Sequence, residues 1–212
     1  MSTSRSRMLL AVVALVGALG LAACTAGIGS SPVPTSSGSP TWDAANAAPP
    51  EGRVIGTGTV LDAAGEAQLC LGVVAESYPP QCTGIPLDGW TWEGVDGSET
   101  SGDTTWGTYA VYGTFDGERY TVTDPPIMLA LYDPVRPEDP ANGVDGTRSE
   151  ADLMRVQDDL SASLGRDALT LWTERGYVWV SVVWDDGTLQ DAVDEAYGDG
   201  VVLVTSALRQ ID

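Results

Sequence analysis

Thr105-Trp106-Gly107-Thr108-Tyr109-Ala110-Val111-Tyr112-Gly113-Thr114-Phe115, followed at once by Asp116-Gly117, is the stretch that decides the fold. Successive side chains of a strand point to opposite faces, so Tyr109, Val111, Gly113 and Phe115 share one face, and Trp106, Thr108, Ala110 and Tyr112 share the other. An Asp-Gly pair directly after an alternating run predicts a type I′ hairpin turn, with Tyr120 to Thr123 returning as the partner strand. Working upstream, Arg53 to Leu61 is a Thr/Val/Gly run, and Gln68 to Val74 is a second apolar run. Trp90-Thr91-Trp92 reads as a short third strand. Five short strands with interior glycines predict a small closed or nearly closed barrel, OB-like, over residues 51–124.

Downstream, residues 125–148 contain Pro125, Pro126, Pro134, Pro137 and Pro140, which predicts an extended, wrapped connector. Its apolar start, Ile127 to Tyr132, should pack onto one of the halves. Residues 149–212 change period. Ser149 and Asp152 have capping-box spacing, Leu153, Val156, Leu160 and Leu164 form a helical stripe, and Gly165 closes it. Ala168–Thr173 and Tyr177–Trp184 predict a hairpin turning at Glu174-Arg175-Gly176. Thr188 then opens a second helix, with Leu189, Ala192, Val193, Ala196 and Tyr197 on its apolar face and Gln190, Asp191, Asp194 and Glu195 opposite; Gly198 ends it. Val201–Thr205 is apolar throughout, as a buried parallel strand should be. The expected fold class is α+β: a barrel-like N-terminal half, then a two-layer αββαβ C-terminal half with a right-handed βαβ unit.

The first 23 residues read as a targeting segment. Arg5 and Arg7 precede an apolar stretch from Met8 to Leu19, 12 residues long, where a bilayer-spanning helix needs about 20. Leu21-Ala22-Ala23-Cys24 follows and resembles the lipobox of bacterial lipoproteins. That resemblance implies cleavage before Cys24 and a diacylglycerol thioether on its sulfur. Two acyl chains at about 0.8 kcal/mol per buried methylene hold a protein firmly at a membrane. Residues 24–50 are then the lipidated cysteine and a Ser/Pro/Gly tether with a single charge, Asp43, too polar to order itself. As a flexible coil it would reach roughly 25–31 Å.

Three cysteines are present. With Cys24 given to lipid, Cys70 and Cys82 remain as a pair, which in an oxidising compartment becomes a disulfide. Two thiols without histidine make a poor zinc site, so the disulfide is preferred to a metal. The loop it closes should contribute about 3 kcal/mol on the chain-entropy model. The chain carries 10 basic and 30 acidic residues; without Arg5 and Arg7 the mature form has 8 and 30, a formal −22. Such a field repels nucleic acid and anionic lipid headgroups, so neither is an expected partner. The expected partners are the membrane, through the lipid on Cys24, and an extracytoplasmic protein, glycan or small ligand bound by a monomer.

Histidine and lysine are absent. This removes Ser-His-Asp and Cys-His nucleophiles, Schiff bases, imidazole metal sites and Walker loops. No cofactor is expected. Carboxylate chemistry and calcium survive, and Asp96, Glu99 and Asp103 share one Gly/Ser-rich loop. That loop matches no EF-hand spacing and reads first as a hydrated loop. Seven tryptophans stand against one phenylalanine. Trp90 and Trp92, on one strand, would point the same way and could stack on a sugar or flat ligand; Trp179 could lie between the two halves. A core or stapling role is the simpler reading of both.

Cys70-Leu71-Gly72, Ser77-Tyr78-Pro79-Pro80-Gln81-Cys82 and Gly89-Trp90-Thr91-Trp92 resemble a group of lipoproteins and secreted proteins of high-GC Gram-positive bacteria, to which no activity is attached. The resemblance covers the β half, and the last 60 residues more loosely. It implies export and the disulfide, and transfers no catalytic residue. Tyr78 and Gln81, on a loop stiffened by Pro79-Pro80 and walled by Trp90 and Trp92, are candidate ligand-binding residues; the alternative is a loop that caps the barrel. The functional expectation is a membrane-anchored extracytoplasmic module that binds a ligand without catalysis. A carboxylate-dependent hydrolase of cell-wall glycan is the alternative, and a pocket holding two carboxylates roughly 5–10 Å apart would favour it.

Overall fold

The computed structural model describes residues 47–211. The targeting segment, Cys24 and most of the tether lie outside the described residues. The strand predicted from Thr105 forms over Thr104–Phe115 (β5), and of its two faces the one that carries Tyr109, Val111 and Phe115, with Gly107 and Gly113, lies in the core. Along one edge it pairs antiparallel with Val54–Ala63 (β1) over the whole length of that strand, from Val54↔Gly113 to Ala63↔Thr104. Glu66–Cys70 (β2) pairs back on β1, and Ile85–Asp88 (β3) pairs on β2. The ring closes through Tyr120–Val122 (β6), which runs parallel to β3 and antiparallel to β5. Order β1-β2-β3-β6-β5 and back to β1 is a closed five-stranded Greek-key barrel of the OB-like kind.

Three local expectations are corrected. Trp90-Thr91-Trp92 is not a strand; the third strand is Ile85–Asp88, and the tryptophans follow it in a loop bounded by left-handed Gly89 and Gly94. The β5–β6 turn is displaced by one residue: Asp116 and Arg119 bond across Gly117-Glu118, and only Gly117 has positive φ, as a II′ turn requires. Asp116 instead turns its carboxylate inward to accept the amides of Glu118 and Arg119, at 2.9 and 2.7 Å. Thr100 and its neighbours, expected as loop, form Glu99–Ser101 (β4) on the outer end of β5.

The barrel core sets three aromatic rings, Tyr109, Phe115 and Tyr120, among aliphatic side chains. The Tyr120 hydroxyl shares its proton between the carbonyls of Val54 and Val111, at 2.9 and 2.7 Å, and burial pushes its pKa well above the usual phenol range. Space for that ring comes from Gly113, where a Cβ would lie 2.3 Å from Tyr120 and 2.3 Å from the Thr121 carbonyl.

The connector does pack on the barrel: Ile127–Met128 (β7) pairs with the middle of β5, followed by a 3-10 turn at Leu129–Leu131. The C-terminal half has the expected αββαβ order. Glu150–Leu164 (α1) buries Leu153, Leu160 and Leu164, with Ser149 Oγ capping the Asp152 amide. Thr170–Glu174 (β8) and Tyr177–Val182 (β9) form the hairpin, turning on Arg175-Gly176, both with positive φ as a I′ turn needs. Thr188–Tyr197 (α2) leads to Val202–Ser206 (β10), parallel to β9. Both helices cover one face of this three-stranded sheet, around Val178, Val180 and Val182.

One strand crosses the expected boundary. Leu208–Gln210 (β11) leaves the α/β half and pairs with the start of β1, burying Leu208 in the barrel core. Gln190 also departs from its expected exposed position: its amide reaches β10, accepting from Val204 N at 2.9 Å and donating to Val202 O at 3.0 Å. Trp179 does not sit between the halves. It stacks on its cross-strand neighbour Trp172, with centroids 5.8 Å apart and planes 12° apart, under Ala141 of the connector.

Candidate functional site

The loop after β3 folds back over one end of the barrel. Trp90 and Trp92 meet edge to face, with centroids 5.1 Å apart and planes at 81°, so they are not the parallel pair that a single strand would have given. Both rings pack against Tyr109 on the inner face of β5. Trp92 is held by its indole N–H, which donates to Asp62 at 3.0 Å, and the Tyr109 hydroxyl fixes the loop by donating to the Asp96 carbonyl at 3.0 Å. Burial raises the Tyr109 pKa, and the Asp96 charge adds to it, so the hydroxyl stays a donor.

A cavity of about 540 Å³ lies between this loop and residues 122–131. This is the size of small-ligand sites. Its wall mixes apolar side chains, Trp90, Val95, Val122, Ile127, Met128 and Leu131, with polar ones, and fully buried Tyr109 lies behind the floor. The Trp90 indole N–H is buried with no hydrogen-bond partner among the described residues, which costs about 1–3 kcal/mol and is the kind of uncompensated polar group that functional sites retain. Leu131, 75% exposed, marks the open side.

Glu93, Asp96 and Asp124 supply the charge, and no basic residue is among those lining the cavity. Asp124 accepts from Thr123 Oγ1 at 2.6 Å and from Arg53 at 3.1 Å, which together hold its carboxyl below the usual range. A glycosidase-type general acid needs the opposite shift. Asp88, Asp116, Asp139, Asp152 and Asp186 are lowered likewise, each chiefly by a hydrogen bond. Asp96, Glu99 and Asp103 do not converge: among the described residues no three metal-ligating side chains gather.

The Cys70–Cys82 disulfide forms, with its Cα atoms 6.1 Å apart, and Ala75 and Gln81 pair their backbones within the loop it closes. Tyr78 is 72% exposed and packs edge-on against Trp106, which has the outer-face parity of β5. Trp90 and Trp92 pack on the inner face. The structure therefore separates Tyr78 and exposed Gln81 from the tryptophan pair, and only Trp90 of the four lines the cavity. Sequence reasoning missed Val95, Met128 and Asp124 as lining; the one available signal was the apolar start of the proline-rich connector. No known family model, curated protein or solved structure matches this chain.

Proposed function

We propose that the chain is an exported lipoprotein, anchored through lipid on Cys24, whose folded part is a non-catalytic binding module with its ligand site in the Trp90–Met128 cavity. The observation that carries the binding assignment is the cavity itself: an open hollow of about 540 Å³ on the end of the barrel, lined by apolar and polar side chains and by a tryptophan whose buried N–H has no partner among the described residues. Asp124 argues against the hydrolase reading, because its hydrogen bond from Thr123 and its pairing with Arg53 lower its pKa, the opposite of what a general acid needs. Among the described residues no helix is long and apolar enough to cross a membrane, so a membrane location rests on the Cys24 anchor.

Two experiments test the proposal separately. Cys24→Ser should release the protein from membranes and leave an uncut precursor; a mutant still processed and membrane-bound on fractionation would refute the anchor. For the site, native mass spectrometry of protein incubated with small-molecule extracts of cell envelope should show a retained ligand. Ile127→Trp, at the partly exposed rim, should fill the hollow and remove that ligand while the melting temperature holds. Equal retention by the variant would place the ligand elsewhere.

A further inference from the structure

We infer that the cavity between the tryptophan loop and the connector selects an organic cation: an amine or quaternary ammonium group carried on an apolar body. The inference rests on the reading of this cavity as a ligand site and names the chemical class it takes.

Three observations converge. The wall includes the Trp90 indole, the aromatic group to which an organic cation is most strongly attracted. The charged groups lining it, Glu93, Asp96 and Asp124, are all carboxylates, and because Asp124 is already paired with Arg53 at 3.1 Å, Glu93 and Asp96 are the charges left for a ligand to meet. The field of the whole molecule has the same sign, with 30 acidic against 10 basic residues in the sequence. Thus an anionic ligand meets repulsion at every distance, from diffusional approach to final contact. A neutral ligand would fill the apolar wall but leave the carboxylates unused. A cation with an apolar body uses both.

The arrangement is also prepared for such a ligand before it arrives. Trp90 is braced edge-on by Trp92, which Asp62 holds by its indole N–H. Asp96 is placed by its own carbonyl, which accepts the Tyr109 hydroxyl. Its carboxylate is left out of that bond. Little ordering is required on binding, so the selectivity should persist in weak ligands.

Three probes with one body distinguish the outcomes: 3-phenylpropylamine, 3-phenylpropanol and 3-phenylpropionate. Binding to the full folded domain is followed by calorimetry and by the NMR shift of the Trp90 indole N–H. The amine should bind most tightly, roughly tenfold better than the alcohol at low salt, with the carboxylate weakest. Raising the ionic strength to about 1 M, where the screening length falls to about 3 Å, should shrink the amine's advantage. Glu93→Gln with Asp96→Asn, both at exposed side chains, should weaken the amine by roughly fivefold per carboxylate and leave the alcohol unchanged. If the alcohol or the carboxylate binds as well as the amine, the cation inference is overturned while the cavity remains a ligand site. If none of the three binds or shifts Trp90, the ligand-site reading falls as well.

Discussion

In the barrel, every backbone edge of β1 and β5 is met by another strand: β1 has β5 on one side and β11 and β2 on the other, while β5 has β1 opposite β4, β7 and β6. The α/β half has only three strands and leaves two edges open. There side chains do the same work. Gln190 of α2 seals β10 through both of its amide atoms, and Gln157 of α1 reaches the Leu171 carbonyl of β8 at 3.4 Å. An unpaired edge invites another chain, and closure and covering are the two general remedies. The barrel uses the first at the cost of crowding, with glycines where rings must pass. The α/β half uses the second, and keeps a plain aliphatic interior.

The crowding should be the more sensitive of the two. Gly113→Ala sets a Cβ against both the Tyr120 ring and the Thr121 backbone, and an overpacked core of this kind should lose about 3 kcal/mol. Leu160→Ala, in the other core, should lose about as much through its cavity. Because β11 runs from one half into the core of the other, calorimetry should show one shifted transition for each variant. Two separated transitions would break the comparison, since the halves would then be independent. Next in size is the disulfide. Cys70→Ala with Cys82→Ala should lower the urea midpoint by about 2–3 kcal/mol of stability, because the denatured chain regains the freedom of the closed loop. An unchanged midpoint would refute this.

Gln190→Leu sharpens the comparison directly. Leaving Val202 O and Val204 N without their partner should cost about 1–2 kcal/mol, and size-exclusion chromatography should show association through the bared edge. Gln157→Leu, with its single longer bond, should do less of both. A monomeric, fully stable Gln190→Leu would mean that the edge needs no seal.

The smallest effect belongs to exposed ion pairs such as Asp88–Arg119, in which Arg119 Nε donates to Asp88 at 2.8 Å. Asp88 has its pKa lowered below the ordinary 3.8, first by that hydrogen bond. A depressed folded value means stability that is fully present above the unfolded pKa and lost as pH falls through the folded one. The gap in melting temperature between wild type and Arg119→Gln should therefore be small but constant above about pH 5 and close below about pH 4. A gap that widened in acid would contradict the assignment.

Much of this was legible because period 2 and period 3.6 are written openly in β5 and α1. The misses have two sources: short strands whose local pattern is weak, and side chains whose destinations are set only once the backbone is. Trp90-Thr91-Trp92 alternates like a strand, yet its rings are drawn into the barrel mouth by Tyr109 and Asp62, while the less promising Ile85-Pro86-Leu87-Asp88 supplies the strand. Gln190 occupies a polar position on its helix wheel, and nothing local reveals that a bare strand edge waits above it. The cavity joins residues 38 positions apart, Trp90 and Met128, and depends on β7 adding to β5. The lowered Asp124, too, follows from Arg53, which meets it across 71 positions of sequence.

The pairing of β11 with β1 has a mechanical and topological consequence. Gln210 Nε2 donates to the Glu51 carbonyl at 2.6 Å, and the Ile211 amide to that of Arg53 at 3.0 Å, so the folded part begins and ends at one point on its surface. A pull applied between those two ends loads a single short ladder of backbone bonds before any of the core feels it, and would peel β11 away like a tab. Joined by a brief linker instead, the same ends make a ring, which can be reopened at an exposed turn such as Gly117-Glu118 to give a permuted chain with its termini at the far end of β5.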